Sequence, residues 1–374
     1  MSESIDGTVA LFSTSFLPYS QTFVYDEIRA HRRYDVDVFC KERLNADRFP
    51  YDRIYKPAGS LREKLYENMA YWPAFDRILA KGGHALVHAH FGTGAVYALP
   101  YVRKHKLPFV VTFHGNDVAA LIGPQRREFR RLRYVLRAPR IMQSAELMLC
   151  VSLELCETVA RLSGRPNAVK PFRLGVDLKR FTPSLIEHAI PRILMVGRFT
   201  EKKGHEFALR AFAETLQHGR KAHLTFVGDG ELEPACRRFV ESSGMNEWVE
   251  FAGVKSPSET AEILRSSDLV LVPSVVARNG DREGSPTVVK EAGACAKPVI
   301  GTRHAGIPEV IEDGITGFLV PERDVGSLKE RMIALIDDPE LRRRMGEAAR
   351  RKMEREFDLF KQVDALESHY DSIL

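Results

Sequence analysis

The chain has no uninterrupted apolar run near the roughly 20 residues that a membrane-crossing helix requires. Its opening, Met-Ser-Glu-Ser-Ile-Asp, is acidic and lacks the pattern of a secretory leader. Cysteine is scarce: Cys40, Cys150, Cys156, Cys236 and Cys295 are odd in number, scattered and without paired metal spacing. That argues against a disulfide framework and for reduced, buried thiols in a cytoplasmic setting. Two missing motifs narrow the chemistry. The loop after the first predicted strand reads Ser13-Thr-Ser-Phe-Leu-Pro18, with no Gly-x-Gly-x-x-Gly, which disfavours a nicotinamide-dependent dehydrogenase. No Asp-x-Asp ends a strand in a metal-binding context, so no metal and no separate cofactor are expected.

What is present is alternation. Over 374 residues, more than one hydrophobic core usually fills, apolar runs bounded by turns alternate with amphipathic stretches. Strands are predicted at 9–12, 36–40, 85–89, 109–113 and 147–151. A second series follows at 193–196, 224–227, 249–252, 269–272, 298–301 and 317–320. Between them lie helical patterns such as His205–Leu216, where Phe207, Ala208, Ala211 and Phe212 repeat at helical spacing. The pattern predicts an α/β fold with two doubly wound parallel sheets, covering 1–185 and 186–357. A final amphipathic helix is predicted after a break near Phe357–Asp358, and periodicity leaves open which half it joins. The net charge of +5 hides a division: residues 1–185 hold 28 Lys and Arg against 18 Asp and Glu, and residues 186–374 hold 27 against 32. The basic half is the one expected to meet an anionic surface.

In the second half, Glu283-Gly-Ser-Pro-Thr-Val-Val-Lys-Glu291 straddles a predicted helix start, with Ser285 as N-cap and Pro286 in the first helical position. The amides of that turn, around Ser285, Pro286 and Thr287, suit a phosphate. Glu283 and Glu291 flank it as acceptors for sugar and ribose hydroxyls. The strand at 193–196 opens into Gly197-Arg-Phe-Thr-Glu-Lys-Lys-Gly204, where Arg198 and Lys203 can clamp a diphosphate; alone, this loop reads equally well as a solvated basic turn. Gly228-Asp-Gly230 reads as a structural turn, and the backbone at Val254, after another strand, as a possible base contact or an ordinary turn.

In the first half, His114 follows a strand in His-Gly-Asn-Asp117, suited either to a substrate hydrogen bond or to a capping role. His88 and His90 share one strand face, but a metal needs a third ligand and none is suggested by spacing. Tyr19-Ser-Gln-Thr-Phe23 is a further candidate lining loop. Arg126, Arg127, Arg130, Arg131, Arg133 and Arg137 crowd one segment with the single acid Glu128, and on a continuous helix Arg126, Arg130, Arg133 and Arg137 share a face. So many like charges predict docking on anionic phospholipid rather than a plain solvated face, and no nucleic-acid module accompanies them.

With these residues in place, the chain resembles retaining glycosyltransferase family 4, of the GT-B fold, in which two Rossmann-like domains face across a cleft. The matching motifs are Gly197-Arg198…Lys203-Gly204, Gly228-Asp-Gly230, Glu283-x7-Glu291, Gly306-Ile-Pro-Glu309, Gly314–Val320 and Thr112-Phe-His114-Gly115. Ser285-Pro286 within the Glu motif is similar to the exopolysaccharide and lipopolysaccharide transferases of the colanic-acid and amylovoran type. The resemblance implies donor binding by Gly197, Arg198, Lys203, Val254 and the Glu283–Glu291 motif, with His114 on the transferred sugar. It implies a nucleotide-sugar donor, UDP-linked by family prevalence, and a lipid-linked or oligosaccharide acceptor. A peripheral position on the inner face of the cytoplasmic membrane follows, with an acceptor-binding first domain that the last helix, 358–374, rejoins. The loop after the first strand departs from the Gly-Gly of many members. A nucleotide-sugar epimerase, or a noncatalytic assembly subunit, is the alternative; the latter calls for damaged site residues, and these are intact.

Overall fold

A computed structural model describes residues 6–18, 21–184 and 186–374. The chain forms two compact units, one of Met1–Gly175 with Leu359–Leu374 and the other of Val176–Asp358. In the first, seven strands form a sheet: β1 (Gly7–Phe16), β2 (Tyr34–Arg43), β3 (Ile54–Tyr55), β4 (His84–His90), β5 (Phe109–Phe113), β6 (Leu147–Cys150) and β7 (Val169–Pro171). Their order is β3-β2-β1-β4-β5-β6-β7, and every pairing is parallel. The second unit holds β8 (Arg192–Val196), β9 (His223–Val227), β10 (Val249–Phe251), β11 (Leu269–Val272), β12 (Val299–Thr302) and β13 (Gly317–Val320). Their order is β10-β9-β8-β11-β12-β13, again all parallel.

Helices cover both faces, which is why the central strands read as unbroken apolar runs rather than alternating ones. Val9, Ala10, Leu11 and Phe12 of β1 are all buried, as are Leu269 to Val272 of β11. In each sheet the strand order reverses beside the first strand, between β1 and β4 and between β8 and β11. Ligands of open parallel sheets collect at the carboxyl ends of strands around such a reversal.

The division at Gly175 precedes the boundary expected after residue 185. The physical reason is packing: Val176 and Phe181 are buried in the second unit's core, and the Val176 amide donates to the Phe357 carbonyl at 2.8 Å. The long helix Pro339–Glu356 stops at Phe357, and a separate helix, Leu359–Asp371, belongs to the first unit. There Leu366 and Tyr370 join the first unit's core. Glu367 accepts from the Arg32 and Arg33 amides at 2.9 and 3.1 Å and meets His31 Nδ1 at 3.0 Å.

Candidate functional site

In the second unit the loop after β8 is held by the turn after β9. The Gly197 amide donates to the Val227 carbonyl at 2.9 Å and the Phe199 amide to the Asp229 carbonyl at 2.7 Å. Gly228, at φ 136°, could carry no side chain, because a Cβ there would lie 2.2 Å from the Gly197 oxygen. The Gly-Asp-Gly turn is therefore the backing of the Gly197–Lys203 loop, and Asp229 serves it through its backbone. Phe199 is buried against His205, ring centroids 4.1 Å apart, and burial pushes that imidazole down to about 3, so it packs as a neutral ring. A short 3-10 turn, Glu201–Lys203, ends at Gly204 with φ 73°, where a Cβ would meet the Pro273 carbonyl oxygen at 2.0 Å. The loop is thus pinned to the end of β11.

That pinning brings Lys203 Nζ to 2.8 Å from Glu283 Oε1, joining the basic loop to the paired-glutamate motif. Glu283 is buried; burial alone would raise its carboxyl, but the charges of Lys203 and Lys202 outweigh it and hold the group below the ordinary glutamate value. Its amide donates to His304 Nε2 at 3.1 Å, which places the His304 proton on Nδ1, and Nδ1 donates to Glu322 Oε1 at 2.7 Å. The Gly306 amide donates to the Gly284 carbonyl at 2.9 Å, so the Gly306–Glu309 motif also steadies this loop. Arg198 is exposed on its loop, and Val254 is exposed just beyond β10.

The helix of the motif differs from expectation. It spans Thr287–Ala294 with Pro286 in the capping position, φ −60° and ψ 124°, so it starts one residue later than read and Ser285 does not cap it. The Ser285 hydroxyl instead lies 3.0 Å from Lys290 Nζ, with the Ser285 carbonyl at 3.5 Å. Lys290 is buried inside the motif, and desolvation brings its ammonium down to about 7. Thr287 and Glu291 lie one turn apart on the same helix, both half-buried.

His114 and the arginine segment belong to the first unit. His114 follows β5 in a turn built by the buried Asp117, which accepts from the amides of His114, Gly115, Val118 and Gly92 at 3.1, 2.9, 3.0 and 2.9 Å. Phe91 and Phe23 pack on the His114 ring, with centroids at 4.2 and 5.0 Å. His90 Nδ1 is 3.1 Å from His114 Nε2, and His90 Nε2 is 3.0 Å from Glu27 Oε1. His88, on the same strand face, meets Tyr370 and Thr112 hydroxyls at 2.7 Å each. Burial, then the neighbouring imidazoles, push His88 well below the usual histidine value. Glu27 is the third acidic or imidazole group that spacing did not suggest: ligand atoms of Glu27, His88 and His90 lie within 4.8 Å of one another. Both nitrogens of each imidazole are already engaged by protein partners. Tyr19 and Ser20 of the candidate lining loop lie outside the described residues.

The arginine segment is not one continuous helix. Pro124–Arg127 forms a 3-10 turn, Glu128 interrupts it, and a helix runs from Phe129 to Ser144. Arg126 therefore does not share a helical face with Arg130, Arg133 and Arg137. Arg133 bonds the Glu67 carbonyl and lies over the Tyr97 ring at 5.5 Å, Arg131 bonds Asn116 at 2.9 Å, and Arg137 is half-buried. Arg126, Arg127 and Arg130 are exposed, and so are Phe129 (90%) and Leu136 (68%). No described helix is long and apolar enough to cross a membrane.

Comparison with known proteins extends this. The Glycosyltransferase Family 4 profile matches residues 21–180, and the profile described as Glycosyl transferases group 1 matches residues 180–352. WcaL of Escherichia coli K12, named for colanic acid biosynthesis, is 32% identical over 278 residues, 72% of this chain and 66% of that one. AmsK of Erwinia amylovora, an amylovoran biosynthesis glycosyltransferase by name, is 30% identical over 277 residues, 73% of this chain and 66% of that one. The chain thus spans just under two thirds of the length of these curated relatives. A sucrose-phosphate synthase from Thermosynechococcus elongatus superposes with a TM-score of 0.80 at 22% identity, over 98% of both chains. HepE of Anabaena, solved with UDP-glucose, superposes with a TM-score of 0.79 at 17% identity, over 98% of this chain and 100% of that one. With two all-parallel α/β units, these likenesses establish the fold as GT-B.

Proposed function

The chain belongs to the glycosyltransferases that join a Family 4 domain to a group 1 domain, and from that premise we propose that it builds a surface polysaccharide. It moves a hexose from a nucleotide diphosphate-sugar to a sugar hydroxyl of a lipid-linked acceptor, retaining the anomeric configuration. The bond from the anomeric carbon to the diphosphate breaks, the acceptor oxygen bonds that carbon on the same face, and the acceptor proton passes to a phosphate oxygen. The observation that carries this is the Lys203–Glu283 pair at 2.8 Å, a cation beside a carboxylate in the loops that follow β8 and β11. An ammonium has three donors, so one contact to Glu283 leaves two for a phosphate. Arg198 and the amides around Ser285–Thr287 add to the stabilisation of the leaving diphosphate. Glu291 takes the ribose hydroxyls, the backbone at Val254 the base, and His114 the transferred sugar. A UDP-linked donor is supported by the UDP-glucose held by HepE, and a polysaccharide pathway by the names of WcaL and AmsK.

The test is turnover with UDP-, GDP-, ADP- and dTDP-sugars, after a thermal-shift screen selects the donor. Arg198→Ala or Lys203→Ala should lower turnover by about 10²-fold or more with the fold kept. Because these cations neutralise the diphosphate, transfer should persist in excess EDTA. Near-normal turnover in both variants would remove the clamp from the mechanism, and loss in EDTA restored by manganese would replace it with a metal.

A further inference from the structure

We propose that Glu27 and His90 are positioning residues for His114, holding its imidazole in the tautomer protonated on Nε2, with Nδ1 as a hydrogen-bond acceptor. The inference rests on the reading that His114 serves the transferred sugar, and it adds what prepares that side chain. The three groups form a line: Glu27 Oε1 to His90 Nε2 at 3.0 Å, then His90 Nδ1 to His114 Nε2 at 3.1 Å. A carboxylate oxygen accepts from an imidazole N–H, so the contact with Glu27 places a His90 proton on Nε2. In the proposed line His90 Nδ1 is then the accepting nitrogen and His114 Nε2 the donor. One carboxylate thereby sets the polarity of two rings, much as a carboxylate sets the tautomer of a catalytic histidine elsewhere.

The surroundings suit such a device. Glu27, His90 and Asp117 are buried and His114 is 8% exposed, so solvent competes little for these contacts. Asp117 fixes the His114 backbone through four amides, and Phe91 and Phe23 fix its ring plane. His90 closes β4 and Glu27 lies on the helix Thr22–Ala30 that follows β1, the two strands that flank the reversal of strand order, while His114 follows β5, the neighbour of β4. His88, 4.6 Å from His90 between ring centroids, is held by two hydroxyls and stays neutral, so it places no competing charge on the line.

The experiment uses the full chain with 15N-labelled histidine. The His114 signals, assigned by comparison with H114A, should report a proton on Nε2 in the wild type. Glu27→Gln keeps the volume but can donate to His90 Nε2, which reverses the line; the His114 proton should move to Nδ1 and kcat should fall on the order of 10²-fold, with little change in the donor KM. If Glu27 acts through His114, Glu27→Gln should cost nothing further in an H114A background. A His114 proton on Nδ1 in the wild type, additive losses in the double variant, or a stoichiometric metal held by the purified protein would each overturn the relay. Unchanged turnover in H114A would instead defeat the sugar-binding role of His114, and the proton positions would still decide the relay.

Discussion

Lys290 is a lysine whose ammonium is enclosed within the paired-glutamate motif, 3.0 Å from the Ser285 hydroxyl. Folding lowers its pKa from 10.5 to about 7. Between those values the unfolded chain binds the extra proton, so stability rises with pH from about 7 towards 10.5. Below 7 both states carry the proton and the full cost of burying the charge remains. Lys290→Met should therefore raise stability by about 1–4 kcal/mol at pH 6–7. The gain should shrink as pH approaches 10, followed by denaturant unfolding across that range. A gain that does not vary with pH would show that the ammonium is not desolvated. Legibility in the sequence ends at this scale. Lys203 and Glu283 stand in recognisable motifs, and their neighbourhood follows from two strand ends meeting. Lys290 sits inside a recognised motif, but its burial does not show in the pattern; His304 and Glu27 carry no motif, because each is placed by tertiary approach: His304 is 21 residues from Glu283, and Glu27 is 63 from His90.

Among elements, the helix Leu359–Asp371 docks partly through one buried carboxylate, Glu367. Burial would raise Glu367, but His31 and the amides of Arg32 and Arg33 bring it down to about 2. An unfolded glutamate titrates near 4.5, so this contribution is complete above that value and is lost as pH falls from 4.5 towards 2. Glu367→Gln should lower Tm by roughly 3–6 °C at pH 7, with the two proteins converging near pH 2. Equal Tm values at pH 7 would remove the carboxylate from the docking of this helix. The sequence showed the break before the helix and its apolar face at Val363, Leu366 and Tyr370, but an apolar stripe demands a partner without naming it. All eleven strands expected from apolar runs are present. The two that were missed, Ile54–Tyr55 and Val169–Pro171, are edge strands too short to show a period.

For the whole molecule, three exposed arginines of the basic first half, Arg126, Arg127 and Arg130, lie on a segment that also exposes Phe129, Leu132 and Leu136. Arginines beside bare apolar side chains suit a lipid interface better than water alone. Replacing Arg126, Arg127 and Arg130 with Gln should remove about 3 kcal/mol of headgroup attraction and weaken binding to phosphatidylglycerol vesicles on the order of 10²-fold at low salt. Wild-type binding should fade as ionic strength rises. Equal sedimentation of variant and wild type with such vesicles would assign these arginines to a solvated face.

The return of the chain to its first unit has a consequence for biosynthesis. Gly175 and Leu359 are separated by the 183 residues of the other unit. At about 5–20 residues per second, the ribosome takes roughly 10–40 s to cross that interval. The unit that emerges first must wait, with His88, Tyr34 and the His31–Arg33 corner lacking their partners on the last helix, while the second emerges whole. The first unit to be translated is then the last to be completed, and during that delay it is the part of the newborn chain that most needs a chaperone.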